Sequence, residues 1–359
     1  MSGFGAMKKE AIEALKEEIE ATMADVTEPV ISKEVDTEIL KAMVTPVEQP
    51  AVEEKPAVKK QTPLANSLEA ELASIANLQQ QSHVFCGVVG HENTGKSGTV
   101  MDAHMHNVQN GTYGADDQLW AIDFDGGAAA CRSAHYGNTP NVRVWSPWVM
   151  QENNRTAYDY PGTHQRQMDI LMFALGKAKE QSEEGYEGPR IRNLLVTAVD
   201  LFDQVCINNM KIYDMETGAK DAIEASKHVI NTKIGWNWSI RSTRFHQMTA
   251  VCRQLMNNGV NVFWETHLSP EVFNDKETGA WRPKWEKQSD NVLNQILWFR
   301  KDKIRNEDGK ETGEVRYEVE FYKCKTNAKL QGQVRTVFVT KRGEDPVWYG
   351  LPELRDGML

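Results

Sequence analysis

The stretch Val84-Phe85-Cys86-Gly87-Val88-Val89-Gly90-His91-Glu92-Asn93-Thr94-Gly95-Lys96-Ser97 decides the reading of this chain. Its first six residues are a short apolar run of the kind that forms a buried parallel strand. Gly90 to Ser97 then fits the phosphate-binding pattern G-x-x-x-x-G-K-[ST], and Ser97 to Asn107, beginning Ser97-Gly98, predicts a helix. Strand, loop and helix in that order imply a nucleoside triphosphate site. Glycines let backbone N–H groups turn toward phosphate oxygens, and the helix N-terminus adds its positive dipole end. Lys96 supplies a point charge for the β- and γ-phosphates, and the Ser97 hydroxyl suits Mg²⁺. The expected nucleotide contacts are therefore Gly90, His91, Glu92, Asn93, Thr94, Gly95, Lys96, Ser97 and Gly98.

Further strands are expected downstream, several closed by carboxylates. Gln118 to Asp125 reads as a second strand ending Ile122-Asp123-Phe124-Asp125, and Val142 to Trp145 as a third. A helix is predicted over Thr163–Gln181. Asn193 to Asp200 is an apolar run closed by Asp200, the form of the motif whose carboxylate orders Mg²⁺ or its water. Another helix, Arg244–Asn257, leads to a strand from Gly259 to His267. Strands over Val292–Arg300, Arg316–Lys325 and Val334–Thr340 complete the pattern. Alternating β and α segments with a β-rich end predict an α/β fold, a mostly parallel sheet extended by antiparallel strands. Ligands of such sheets lie beyond the carboxyl ends of the strands.

Charge divides the 359 residues unevenly. Residues 1–82 carry 8 Lys+Arg against 15 Asp+Glu, a net of −7, whereas 83–359 carry 33 against 36, a net of −3. The organisation expected is an acidic, partly helical tail with a Pro-rich linker over 1–64, a lead-in helix over 65–82 and a core over 83–359. Within the tail, 7–24 reads as a charged amphipathic helix. No stretch is long and apolar enough to span a membrane and no secretory signal is visible, so no membrane partner and a cytoplasmic location are expected. Cys86, Cys131, Cys206, Cys252 and Cys324 form no C-x-x-C pair, which predicts reduced thiols and no zinc. His104 and His106 fall on the predicted helix after the loop and point different ways, so no metal site is expected there.

These motifs together resemble the RecA-like core of the homologous recombinases, in particular the compact virus-encoded ATPases of single-strand annealing or strand exchange. RecA's loop, Gly-Pro-Glu-Ser-Ser-Gly-Lys-Thr, has Glu where this chain has Glu92 and a hydroxyl where it has Thr94. Its next strand ends Ile-Asp-Ala-Glu, against Ile122-Asp123-Phe124-Asp125. The resemblance implies that Asp125 activates the attacking water, although Asp is a methylene shorter than Glu and Asp123 is a close alternative. It matches Val-Val-Asp-Ser to Ala198-Val199-Asp200-Leu201, making Asp200 with Ser97 the Mg²⁺ ligands, with Asp203 a further candidate for that role. His267 stands where RecA's γ-phosphate-sensing Gln stands. Tyr322 to Lys329 looks like the segment that reaches a neighbour's ATP, so Lys323, Lys325 and Lys329 would complete the site of the next subunit in a ring or filament. The resemblance covers about residues 83 to 342. It implies ATP and Mg²⁺ as cofactors, with the host cytoplasm as location if the chain is viral.

Single-stranded DNA is the partner this resemblance implies, but composition supports it only locally. Residues 281–342 hold 15 Lys+Arg against 9 Asp+Glu, a net of +6; the same excess would also suit a solvated strand edge. Long loops are expected at Lys211–Ser242 and Leu268–Ser289. The first contains Lys233, Trp236, Trp238 and Arg241, the second Trp281, Arg282, Lys284 and Trp285. Aromatic rings interleaved with cations suit stacking on unpaired bases, and equally suit loops anchored on their own core. Three functions stay open: a DNA-stimulated recombination ATPase, a packaging or helicase motor, and a nucleotide-dependent switch whose acidic tail docks a protein partner.

Overall fold

A computed structural model describes residues 83–216, 236–273, 276–286 and 288–355, all within the compact unit Gln79–Leu359. The tail, the linker, the expected lead-in helix over 65–82 and Lys233 lie outside the described residues.

The chain builds an α/β fold on a mixed nine-stranded sheet. Its strands are β1 (Phe85–Gly90), β2 (Gln118–Ile122), β3 (Val142–Trp145), β6 (Ile191–Val196), β7 (Asn261–Thr266), β10 (Gln295–Arg305), β11 (Glu311–Cys324), β12 (Val334–Lys341) and β13 (Val347–Trp348). Two hairpins stand apart from it: β4 (Met150–Gln151) with β5 (Asn154–Tyr158), and β8 (Leu268–Phe273) with β9 (Lys276–Pro283). The sheet order is β13-β12-β11-β10-β1-β7-β6-β2-β3. From β10 to β3 every pairing is parallel, and from β10 outward to β13 every pairing is antiparallel.

Helices cover both faces, and the side-chain alternation of each strand decides which residues meet which helix. The helices are α1 (Lys96–Gln109), α2 (Gly127–Tyr136), α3 (Tyr160–Gln181), α4 (Val199–Glu216), α5 (Trp236–Asn257), and the short α6 (Ser289–Val292) and α7 (Pro352–Arg355). On one face Phe85, Val89, Ile122, Leu194, Val196, Val262 and Trp264 pack with Leu171 and Leu175 of α3, Phe202 of α4 and Phe245 and Met248 of α5. On the other, Cys86, Val88, Leu119, Ala121, Phe263, Leu297 and Phe321 pack with Val100 and Met101 of α1 and with Leu354 of α7. Arg355 ties α7 to α1 through Asp102 at 2.7 Å. The start of α3 is set by Asp159, whose carboxylate accepts from the Gly162 N–H at 3.0 Å, with Pro161 in the first turn.

Several expected elements need correction. The Leu268–Ser289 loop is mostly the β8–β9 hairpin, whose strands pair antiparallel from Leu268–Pro283 to Phe273–Lys276 with a register shift between Pro270 and Val272. The Lys211–Ser242 loop is shortened from both ends by α4 and by α5, which begins eight residues before the expected Arg244. Phe124 and Asp125 are not strand residues, since β2 stops at Ile122. Nor is Asp200. β6 stops at Val196, and Asp200 lies in the first turn of α4, behind the positive φ of Ala198 (44°).

Candidate nucleotide site

At the carboxyl end of β1 the chain turns through Asn93 (φ 56°) and Gly95 (φ 85°) into α1. The left-handed conformation at Gly95, which an L side chain adopts only with strain, lets the loop close and α1 begin at Lys96. Thr94 pins the loop by donating its hydroxyl to the His91 carbonyl at 2.9 Å. Lys96 is only 4% exposed. Its ammonium donates to the carbonyls of His91 (2.8 Å) and Gly90 (3.3 Å) and stands 3.6 Å from the Glu265 carboxylate. Ser97, next along, donates its hydroxyl to Glu265 Oε2 at 2.6 Å.

The loop floors a cleft of about 1020 Å³ at the edge where the parallel strands end. His91 to Gly98 line it, with Asp125, Asp200, Glu265, His267 and Lys284 around the phosphate-loop end. A further wall of the cleft is aromatic and adjoins α1 at Gly98. Tyr317, Phe338 and Trp348 of the antiparallel strands line it with His135 and Cys131 of α2. Phe338 and Trp348 stack at 4.3 Å between centroids, and Tyr317 meets Phe338 at 4.7 Å.

The two carboxylates after β2 have separate settings. Asp123 is buried and caps α2, accepting from the N–H groups of Gly126 (3.0 Å) and Ala129 (2.9 Å) and from the Thr197 hydroxyl (2.9 Å). Burial, together with its neighbour Asp125, raises its pKa. Asp125 is exposed and faces the cleft, accepting from Gly127 N–H at 3.0 Å and lying 3.1 Å from the Thr197 hydroxyl. Asp203 is held bidentately by Arg241, both bonds at 2.7 Å, and does not line the cleft.

Asp200 is 3.0 Å from His267 Nδ1 and 3.5 Å from Lys284 Nζ. Burial pushes the Asp200 pKa up, but the His267 hydrogen bond and the two neighbouring cations hold it below the usual carboxylate value. The same hydrogen bond raises the His267 pKa, against burial. Glu265 is 5% exposed, and burial raises its pKa against the pull of Lys96 and Ser97. Glu265 carries no motif of its own in the sequence, standing with Thr266 and His267 among the polar residues that close the strand. The signal was there: it follows Phe263 by two residues and so shares the sheet face covered by α1. Ser97, Glu265 and Asp200 are oxygen donors of the kind Mg²⁺ takes, so the residues present fit that ion.

The residues expected at DNA or at a neighbour are dispersed. Lys284 stands over Asp200 in the cleft, whereas Arg282 is exposed on β9. Trp281, 47% exposed, meets the His91 ring edge-on at 4.6 Å, so the β8–β9 hairpin touches the phosphate loop. Trp236 and Trp238 fall in the first turn of α5. Lys323 pairs through Ile296 with the level of Gly87, and Lys325 lies beyond it, towards the amino end of β1 and away from the chain's own loop. Lys323 and Lys325 donate to the Asp290 and Asn291 carbonyls, and Lys329 sits in the turn before β12. Within 281–342 Arg300 pairs with Glu318 and Lys303 with Glu311, and Arg335 pairs outside the segment with Glu353, so only the last pair reduces its positive excess.

His104 is buried in α1 against Asn193 at 3.0 Å, and burial lowers its pKa to about 4. No group of three or more His, Cys, Asp or Glu side chains suited to a metal ion occurs among the described residues, and none of the described helices is long and apolar enough to cross a membrane. All five cysteines are free thiols.

No protein-family model matches the chain, and no curated protein matches it significantly.

Proposed function

We propose that this chain is a RecA-like P-loop ATPase that binds single-stranded DNA and acts in annealing or strand exchange. The observation that carries the reading is Lys96. It is a buried cation held on two carbonyls of a Gly-framed loop, between a parallel strand and a helix N-terminus, at the floor of a cleft that also presents Asp125 and His267.

The chemistry follows from the side chains present. Triphosphate oxygens replace the loop carbonyls as partners of Lys96, and the helix N-terminus and loop N–H groups take further phosphate oxygens. The nucleobase reaches the aromatic end, where Trp348, Phe338 and Tyr317 offer ring faces and edges. Asp125 accepts a proton from the attacking water as its oxygen bonds to the γ-phosphorus and the bond to the bridging oxygen breaks. Mg²⁺, held from the Ser97 side, would neutralise charge on the β- and γ-oxygens. His267, one residue beyond β7 and at the base of β8, senses the γ-phosphate and passes its presence to the β8–β9 hairpin.

The DNA part of the reading is supported by that hairpin, which carries the exposed Trp281 and Arg282 while its ring contact with His91 reaches the phosphate loop. The lysines at the opposite end of β11 suit an assembly in which one subunit's Lys323 and Lys325 approach the cleft of the next. Fluorescence anisotropy with a labelled oligonucleotide, with and without ATP and Mg²⁺, tests the DNA claim. Tighter binding with nucleotide supports it, and no binding in either state would leave a nucleotide switch without DNA.

A further inference from the structure

We propose that Glu265, and not Asp200, is the carboxylate that fixes Mg²⁺ beside Ser97; this rests on the triphosphate-site reading above. In the sheet, β7 lies between β1 and β6, and Glu265 pairs with Val88, two residues before the loop begins. Its side chain projects to the α1 face and its Oε2 accepts the Ser97 proton at 2.6 Å. A serine hydroxyl has one proton and two lone pairs. With the proton given to Glu265, the Ser97 oxygen is oriented as an acceptor, which is what a cation requires of it. A carboxylate has about four lone-pair sites, so Glu265 retains capacity for the cation or for a water bound to it.

Asp200 is engaged differently. It lies a helical turn beyond the end of β6, and its two oxygens face His267 Nδ1 and Lys284 Nζ. The first residue beyond the carboxyl end of β6 is Thr197, whose hydroxyl serves Asp123 and Asp125. The strand that would ordinarily supply the cation's carboxylate thus ends in a neutral residue, and the adjacent strand supplies the carboxylate instead. Asp200 is the anchor of His267 in this arrangement.

The test uses the full chain, a fluorescent ATP analogue and Mn²⁺ as a spin-active substitute for Mg²⁺. Wild type binds the analogue in EDTA and more tightly with Mg²⁺, and shows bound Mn²⁺ by electron paramagnetic resonance in the presence of nucleotide. Glu265→Gln is expected to bind in EDTA and to lose at least ten-fold of the Mg²⁺-dependent tightening, together with the bound-Mn²⁺ signal. Asp200→Asn is expected to keep most of both. If Glu265→Gln fails to fold, Glu265→Asp, which withdraws the carboxylate from Ser97 by one methylene, is expected to show the same loss. The reverse ranking overturns the proposal. So does a Glu265 variant that binds more tightly in EDTA with an unchanged Mg²⁺ gain, which would make Glu265 only the counterion of Lys96. A wild type that binds no nucleotide under any condition refutes the triphosphate reading itself, a different failure from a wild type that binds and a variant that matches it.

Discussion

His267 Nδ1 lies 3.0 Å from Asp200 Oδ1, joining the end of β7 to the first turn of α4 across the mouth of the cleft. The groups facing the imidazole are Asp200 and Glu265, which favour its charged form, and Lys96, which with burial opposes it. The hydrogen bond to Asp200 is the largest of these influences, so the His267 pKa lies above its ordinary 6.5. A raised histidine contributes stability that is fully present below 6.5 and is lost as pH rises through the folded value. For Asp200, whose pKa is lowered from 3.8, the contribution is present above 3.8 and is lost as pH falls through its folded value. The pair is therefore strongest between those limits. NMR titration of His267 should give a value above 6.5 that drops in Asp200→Asn; a value unchanged by that substitution would mean the pair does not form in solution.

Lys96→Ala should remove most triphosphate affinity, because Lys96 is the cation held within the loop itself, on the Gly90 and His91 carbonyls. Glu265 then loses its cation and keeps only the Ser97 hydroxyl, so a buried carboxylate is left half-compensated. Isothermal titration with a non-hydrolysable ATP analogue and thermal unfolding on the same sample read both effects. Undiminished binding in the variant would place the triphosphate elsewhere.

The aromatic end of the cleft predicts a separate effect on the base. Trp348→Ala removes a ring stacked on Phe338, and contacts of this kind are worth about 0.5–1.5 kcal/mol beyond burial. ATP affinity should fall by roughly 2- to 13-fold, whereas affinity for inorganic triphosphate, which has no base, should not change. Gly98→Ala tests the same wall from beneath, since a Cβ there would stand 2.9 Å from Trp348 Cη2. A parallel loss of triphosphate and ATP binding in Trp348→Ala would mean the indole supports the loop and not the base.

Asp125→Asn should bind nucleotide normally and hydrolyse it slowly, because the amide has no basic oxygen pair for the water's proton. Asp123→Asn should act on stability instead, weakening the cap on α2 by about 0.5–2 kcal/mol. Single-turnover hydrolysis and thermal unfolding of the two variants separate these roles. If Asp123→Asn slows hydrolysis more than Asp125→Asn does, the assignment of the two carboxylates after β2 is reversed.

How much of this was legible beforehand depended on how local each signal was. The loop, β1 and α1 were readable because their chemistry is contiguous: an apolar run, fixed glycines, Lys96 and Ser97. The fold class followed from alternating segments for the same reason. Glu265 was not singled out, since its partners Lys96 and Ser97 are 169 and 168 residues away in sequence and only the β1–β7 pairing brings them together. Asp200 was read as a strand end because apolar residues run unbroken from Leu194 to Val199 except for Thr197; the turn at Ala198 has no glycine to mark it. The β8–β9 hairpin was missed for lack of a two-residue turn signal, and the aromatic pocket because its walls come from α2 and from strands far along the chain.

On the hairpin proposed to meet DNA, Trp281→Ala should weaken single-strand binding by about 1–3 kcal/mol if one base stacks there. Arg282→Ala should reduce the slope of affinity against salt, because one fewer counterion is released. Anisotropy across a salt series separates the two. Equal slopes and affinities in both variants and wild type would return the hairpin to a purely structural role over His91.

The most direct test of the account is phosphate release from ATP and Mg²⁺ by the full chain, with and without single-stranded DNA, beside the Lys96→Ala variant. Hydrolysis should rise when single-stranded DNA is added and be absent from the variant. Release that is undetectable in wild type under both conditions, or equal in wild type and Lys96→Ala, would contradict the account.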